Sequence, residues 1–261
     1  MILGSRARVD PPADAFSDLD LALITTDPDR YLRDAGWLEH IGTPWLTFVE
    51  RQATGTGLER RALFEKDLDV DFAILERDEV QKMVTGGWPP EISAVLARGF
   101  EFILDKDGLE RSMRRDTLRP PRARLPTSEE FLSLCSDFLY HAMWAAKKLR
   151  RGEHWVAKSS IDCYMKDQLL RMLMWHAHAT RGPGYDTWHK GRFLESWADP
   201  RVLDELHQAF AHYVEADIRR ALSKTVELFR LVAKETAADL GYQYPDSADE
   251  RVMAWISAHF E

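Results

Sequence analysis

The segment SDLDLALI (17–24) sets two aspartates, Asp18 and Asp20, at alternate positions at the head of an apolar run. In a strand, residues two apart point to the same face, so the two carboxylates lie side by side. Like charges at that spacing repel, and burial raises the cost. A sheet that accepts the pair must bring cations to it, and this constrains the fold more than any other stretch of the chain. Taken alone, the pair also fits the solvent-facing acids of an edge strand.

The remaining sequence bounds what surrounds that strand. A chain of 261 residues forms one large domain or two ordinary ones, and 45% hydrophobic content with nine Trp suffices for a packed core. No apolar run reaches the roughly 18–20 residues of a membrane span, and no charged-then-apolar leader starts the chain. The expectation is a soluble, cytoplasmic protein with no membrane partner. Cys135 and Cys163 make neither a disulfide framework nor a zinc spacing and read as small buried residues of helices. The net charge of −8 argues against a nucleic-acid partner and favours a cationic one.

Strand patterns dominate the first half. LDLALI (19–24), PWLTFVER (44–51), RRALFEKDLDVDFAIL (60–75) and FEFILDK (100–106) carry the alternation or the Val, Ile and Phe content of strands, with 44–75 forming a hairpin or meander. Asp27 and Pro28 read as N-cap and first residue of a helix over PDRYLRDAGWLEHI (28–41), and short helices are expected at 76–84 and 91–97. RPPRARLPTSEEF (119–131) reads as a linker. Beyond it, 127–151, 154–178, 200–213, 215–240 and 246–260 are helical, interrupted by RGPGYDTWHKG (181–191). The expected class is α+β: a mixed sheet with helices over 1–120, then an all-α helical bundle over 127–261.

Three features of the first domain fit one chemistry. The Gly4-Ser5 turn offers backbone N–H groups and a hydroxyl to phosphate oxygens. DLDVDFAIL puts Asp71 between Val70 and Phe72, with Asp69 two residues earlier. A carboxylate from a second strand beside the Asp18–Asp20 pair makes an oxygen-rich site suited to Mg²⁺. Two such ions, roughly 3.5–4 Å apart, activate a hydroxyl nucleophile and stabilise a leaving pyrophosphate.

Gly-Ser, Asp-x-Asp and a distant apolar-Asp-apolar triplet together resemble the nucleotidyltransferase superfamily. The likeness narrows with longer segments. GSRARVDPPADAFSDLDLALI, including Asp14 and Phe16, resembles the opening of the aminoglycoside 6-adenylyltransferase (streptomycin adenylyltransferase) family, and LFEKDLDVDF resembles its third-carboxylate strand. That family often has Gly where Asp67 stands. AAKKLRRGE is similar to a family segment with Lys147, Arg151 and Glu153 at matching positions. MLMWH (172–176), GRFL (191–194) and LFRLVAKETAADLGYQYP (228–245) resemble its helical domain. Members usually carry a helix ahead of the Gly-Ser turn, whereas this sequence starts three residues before Gly4, implying a truncated start or a member without that helix.

The resemblance implies transfer of AMP from ATP to a hydroxyl of an aminoglycoside, with release of pyrophosphate. Asp18 and Asp20 would hold two Mg²⁺ ions and Asp71 the one nearest the acceptor. Gly4, Ser5 and Arg6 would seat the β- and γ-phosphates, and Lys147, with Arg151 as a weaker candidate, would contact the triphosphate as the second domain closes. Asp71 or Asp69 would be the general base. The partners implied are ATP and a cationic small-molecule acceptor, and the assembly is a monomer or a homodimer. The WHKGRF stretch and Trp175 are candidate aromatic surfaces for that acceptor. His176 and His178 do not share a helix face, so they and His189 are not expected to bind zinc. The glycines of LARGFEFI and RGPG lack a dinucleotide fingerprint. The competing readings are a nucleotidyltransferase acting on another small molecule or a protein hydroxyl, and a non-catalytic, antitoxin-like binding protein on the same fold.

Overall fold

A computed structural model describes residues 1–8, 11–52, 55, 57–113, 115–119 and 123–260. Two compact units divide the chain, Met1–Pro121 and Arg122–Glu261. Part of the expected linker, residues 120–122, lies outside the described residues. The fold is α+β, and no helix is long and apolar enough to cross a membrane among the described residues.

The first unit is built on a four-stranded mixed sheet: β1 (Leu19–Thr25), β2 (Pro44–Arg51), β3 (Leu58–Phe64) and β4 (Asp69–Glu76), in the order β1-β4-β3-β2. β1 pairs parallel with β4, while β4–β3 and β3–β2 are antiparallel. Alternation sorts β4 cleanly. Val70, Phe72 and Ile74 turn to a core with Leu38, Ala62 and Phe64, where the Trp37 ring meets Phe72 edge-on at 4.8 Å. Asp69 and Asp71 therefore point to the other face.

Three helices accompany the sheet: α1 (Pro28–Arg33), α2 (Arg77–Gly86) and α3 (Pro90–Arg98), the last two close to the expected 76–84 and 91–97. Asp27 caps α1, accepting from the Arg30 N–H. The helix expected over 28–41 stops early. Asp34 is extended, its carboxylate accepts the Gly36 N–H at 2.9 Å, and only a 3₁₀ turn, Gly36–His40, continues. The side chain thus closes a local turn that competes with the helix.

The strand expected at 100–106 does not form. Glu101 exchanges two backbone hydrogen bonds with Ile2, and then Asp105 accepts the N–H groups of Leu109 and Glu110, starting the single turn α4 (Leu109–Ser112). Phe100 joins Leu96, Met113 and Leu118 in a second small core.

The second unit is helical: α5 (Ser128–Arg150), α6 (His154–Ser159), α7 (Met165–Arg181), α8 (Leu194–Trp197), α9 (Pro200–Leu206), α10 (Glu215–Leu240) and α11 (Asp246–Phe260). Thr127 and Glu130 close a reciprocal capping box at the start of α5. Phe138 of α5 stacks on Phe229 of α10 at 3.7 Å in the centre of the core. A π turn, Ser160–Tyr164, separates α6 from α7 within what the sequence reads as one helix. The helix expected over 200–213 ends at Leu206 with a short 3₁₀ turn, because Arg220 of α10 donates to the Gln208 and Phe210 carbonyls and holds the chain off the helical path. Cys135 is buried as expected, but Cys163, in the π turn, is exposed.

Candidate active site

Parallel pairing of β1 with β4 sets Asp20 directly opposite Asp71. Asp18, immediately before β1, completes a group in which one carboxylate oxygen from each of the three residues lies within 4.8 Å of the others. Asp18 and Asp20 are half-buried, whereas Asp71 is only 8% exposed. Burial pushes the Asp71 carboxyl up to about 6, against the pull of Arg61, with Glu59, Asp20 and Asp69 adding repulsion. Its Oδ2 lies 3.2 Å from Arg61 Nη2, while its buried Oδ1 has no hydrogen-bond partner.

The Gly-Ser turn abuts this group. The Leu3 N–H donates to the Asp20 carbonyl at 2.9 Å, and Gly4 opens a 3₁₀ turn, Gly4–Arg6, in the left-handed region at φ +62°. A Cβ on Gly4 would fall within bonding distance of the Asp20 carboxylate, so only glycine fits here. Ser5 is 8% exposed and its hydroxyl is unpartnered. Arg6, expected at the phosphates, donates to the Ser17 and Asp18 carbonyls at 2.9 and 3.3 Å and so fixes the entry to β1.

Three carboxylates with no sulfur or nitrogen donor suit a hard divalent cation such as Mg²⁺. The orphaned Asp71 Oδ1 and Ser5 hydroxyl are the polar atoms that such a cation and its substrate would satisfy. Asp69 is exposed and stands outside the group.

A family model described as streptomycin adenylyltransferase matches residues 1–259. The chain belongs to that family. It is 23% identical to the aminoglycoside 6-adenylyltransferase of Campylobacter jejuni over 265 residues, 97% of this chain and 86% of that protein. Against the protein of the same name from Bacillus subtilis (strain 168), it is 24% identical over 249 residues, covering 93% and 84%. The crystal structure of an aminoglycoside 6-adenyltransferase from Bacillus subtilis superposes with a TM-score of 0.50 at 19% identity, over 93% of this chain and 88% of that one. At that identity the superposition speaks for the fold alone.

Within this family member, the group of aspartates, the Gly-Ser turn and Arg61 all belong to the first unit. Lys147 belongs to the second, on α5, with its ammonium 5.4 Å from the centre of the Trp255 ring. Lys148 and Arg151 both pair with Glu153, at 2.7 and 2.9 Å. Trp175, a candidate aromatic surface, is instead buried in the helical core, as its position on the apolar face of α7 dictates. In the WHKGRF stretch the Trp188 and Phe193 rings meet edge-on at 4.8 Å.

Two features escaped the sequence reading. One is the set of side chains around Asp71: Arg61, its partner across β3–β4, and Glu59 and Glu50 beyond it. The signal available was the Arg60-Arg61 doublet inside a strand, since alternation must bury one of the two. The other is a group in the second unit, His176, Asp199 and Glu235, also within 4.8 Å and bordering a cavity of 440 Å³. Arg201 already sits on both carboxylates, 2.6 Å from Asp199 and 2.8 Å from Glu235, so this is an internal ion-pair network. His178 turns elsewhere, toward the Tyr185 carbonyl at 3.1 Å.

Proposed function

We propose that this chain transfers AMP from ATP to a hydroxyl of a streptomycin-like aminoglycoside, with Mg²⁺, and releases pyrophosphate. The observation that carries the reading is the convergence of Asp18, Asp20 and the buried, half-satisfied Asp71 beside the Gly4–Ser5 turn. Asp18, Asp20 and Asp71 would hold the metal, which supplies Lewis-acid charge to the phosphates and to the acceptor oxygen when bound.

The chain's own residues do the positioning. The backbone of the Gly4–Arg6 turn and the Ser5 hydroxyl donate to phosphate oxygens. The acceptor oxygen attacks the α-phosphorus in line, and the bond to the bridging oxygen breaks so that pyrophosphate leaves with its electron pair. Asp71 takes the hydroxyl proton, being inside the group where Asp69 is exposed and outside it. Most of the acceleration comes from alignment and charge stabilisation.

The test supplies α-labelled ATP and Mg²⁺ with a panel of aminoglycosides and follows the label. Streptomycin becomes labelled, and Asp71→Asn reduces transfer by several orders of magnitude while the circular dichroism is unchanged. Absence of label on every aminoglycoside overturns the acceptor, and a fully active Asp71→Asn overturns the site.

A further inference from the structure

Arg61 occupies a position that the reaction as proposed leaves without a role. It stands directly across β3–β4 from Asp71, and its Nη2 is 3.2 Å from Asp71 Oδ2. The other side of the guanidinium is also held. Glu59 Oε1 accepts from Nε and Nη2 at 3.3 and 3.2 Å, and Glu50 Oε1 lies 2.5 Å from Nε. Glu50 and Glu59 are themselves partners across β2–β3. One cation is thus fixed by carboxylates from three successive strands, on the sheet face that carries the aspartates.

We propose that Arg61 is a positioning residue for the transfer: it clamps one oxygen of Asp71 so that the other is presented to the metal and the acceptor. The two oxygens are in fact unlike, Oδ2 paired with Arg61 and Oδ1 buried without a partner. A planar guanidinium fork fixes the plane of a carboxylate, which a point charge does not. Glu50 and Glu59 keep the fork from swinging to solvent, which its 40% side-chain exposure would otherwise allow. Partners that orient metal-ligating side chains matter nearly as much as the ligands themselves.

This rests on the adenylyl-transfer reading, and the experiment separates the two. Label transfer and Mn²⁺ affinity, the latter by electron paramagnetic resonance, are measured on the full chain and its variants. Arg61→Met lowers kcat by roughly 10–100-fold, yet binds Mn²⁺ as tightly as the wild type or more tightly, because a neighbouring positive charge is gone. Arg61→Lys, which keeps charge without the fork, recovers only part of kcat. The Glu50→Gln/Glu59→Gln double variant loses kcat to an intermediate extent, and it carries the test where Arg61→Met fails to fold. A wild-type kcat in Arg61→Met overturns the positioning role alone. So does parallel loss of kcat and Mn²⁺ binding in a folded Arg61→Met, which marks a structural role. A wild type that labels no acceptor overturns the adenylyl-transfer reading, and the positioning role with it.

Discussion

Gly4 lies against the Asp20 carboxylate so closely that a Cβ on it would stand 1.8 Å from Oδ2. The Gly4–Arg6 turn and the head of β1 are therefore one packed unit, and neither can shift without the other. The Leu3 N–H, bonded to the Asp20 carbonyl, ties the same two segments through the backbone.

Replacing that glycine tests the coupling. In Gly4→Ala the left-handed φ costs about 1 kcal/mol, and Asp20 must rotate away from the group. Label transfer falls by roughly 100-fold, and Mg²⁺ no longer raises the melting temperature. A Gly4→Ala protein with the wild-type Mg²⁺ response would show that the turn is not seated on Asp20.

Arg60 and Arg61 are adjacent, and substituting each gives opposite results. Arg60 is 5% exposed and donates to the Tyr31 carbonyl at 2.9 Å, to the Leu32 carbonyl and to Thr47 Oγ1 at 3.2 Å. It satisfies carbonyls at the C-terminal end of α1. Arg60→Met leaves those acceptors unpaired and destabilises the first unit by about 2–4 kcal/mol. Arg61→Met, with a partly exposed side chain, changes stability by under about 1 kcal/mol. Urea midpoints of the two variants check the contrast, which fails if they match.

Lys166 gives a pH signature in the second unit. Burial lowers its ammonium to about 8, with Asp162 pulling it up and Lys158 pushing it down. Its Nζ donates to Thr225 Oγ1 at 2.7 Å and to the Ile161 carbonyl at 3.2 Å, within the π turn. Between pH 8 and the unfolded value of 10.5 the folded form binds fewer protons, so stability rises with pH across that window. Below pH 8 the cost of the buried charge is fully present. Relative to Lys166→Met, the wild type therefore gains on the order of 2 kcal/mol between pH 8 and 10.5, read from paired melting curves. A difference that stays flat over the window would show that the ammonium is not desolvated.

What could be read in advance followed from periodicity and from charge that needs an explanation. The strands at 19–24, 44–51 and 60–75 follow from alternation, and Asp71, expected beside the Asp18–Asp20 pair, is brought into one group with it. The failures share a cause: side chains that bond locally or at a distance decide where an element stops. Asp34 ends the helix at 28–33, Asp105 turns the chain after Phe102, and Arg220 ends the helix at 200–206. Trp175 lies on the apolar face of α7 and packs in the helical core, so the helical periodicity is a better guide to it than its aromatic character. Arg61 and its two glutamates belong to a cross-strand register, and register appears only once the strands are paired.

Asp20 and Asp71 stand 51 positions apart in the sequence, and only the parallel ladder joins them. Parallel partners cannot meet through a tight turn, so the connection from β1 to β4 is long, and it carries the β2–β3 hairpin that pairs on the far side of β4. A growing or half-folded chain therefore lacks the cluster of three aspartates. The repulsion that Asp71 adds to Asp18 and Asp20 is met only where β1 and β4 pair, and the backbone hydrogen bonds of that ladder hold the carboxylates together.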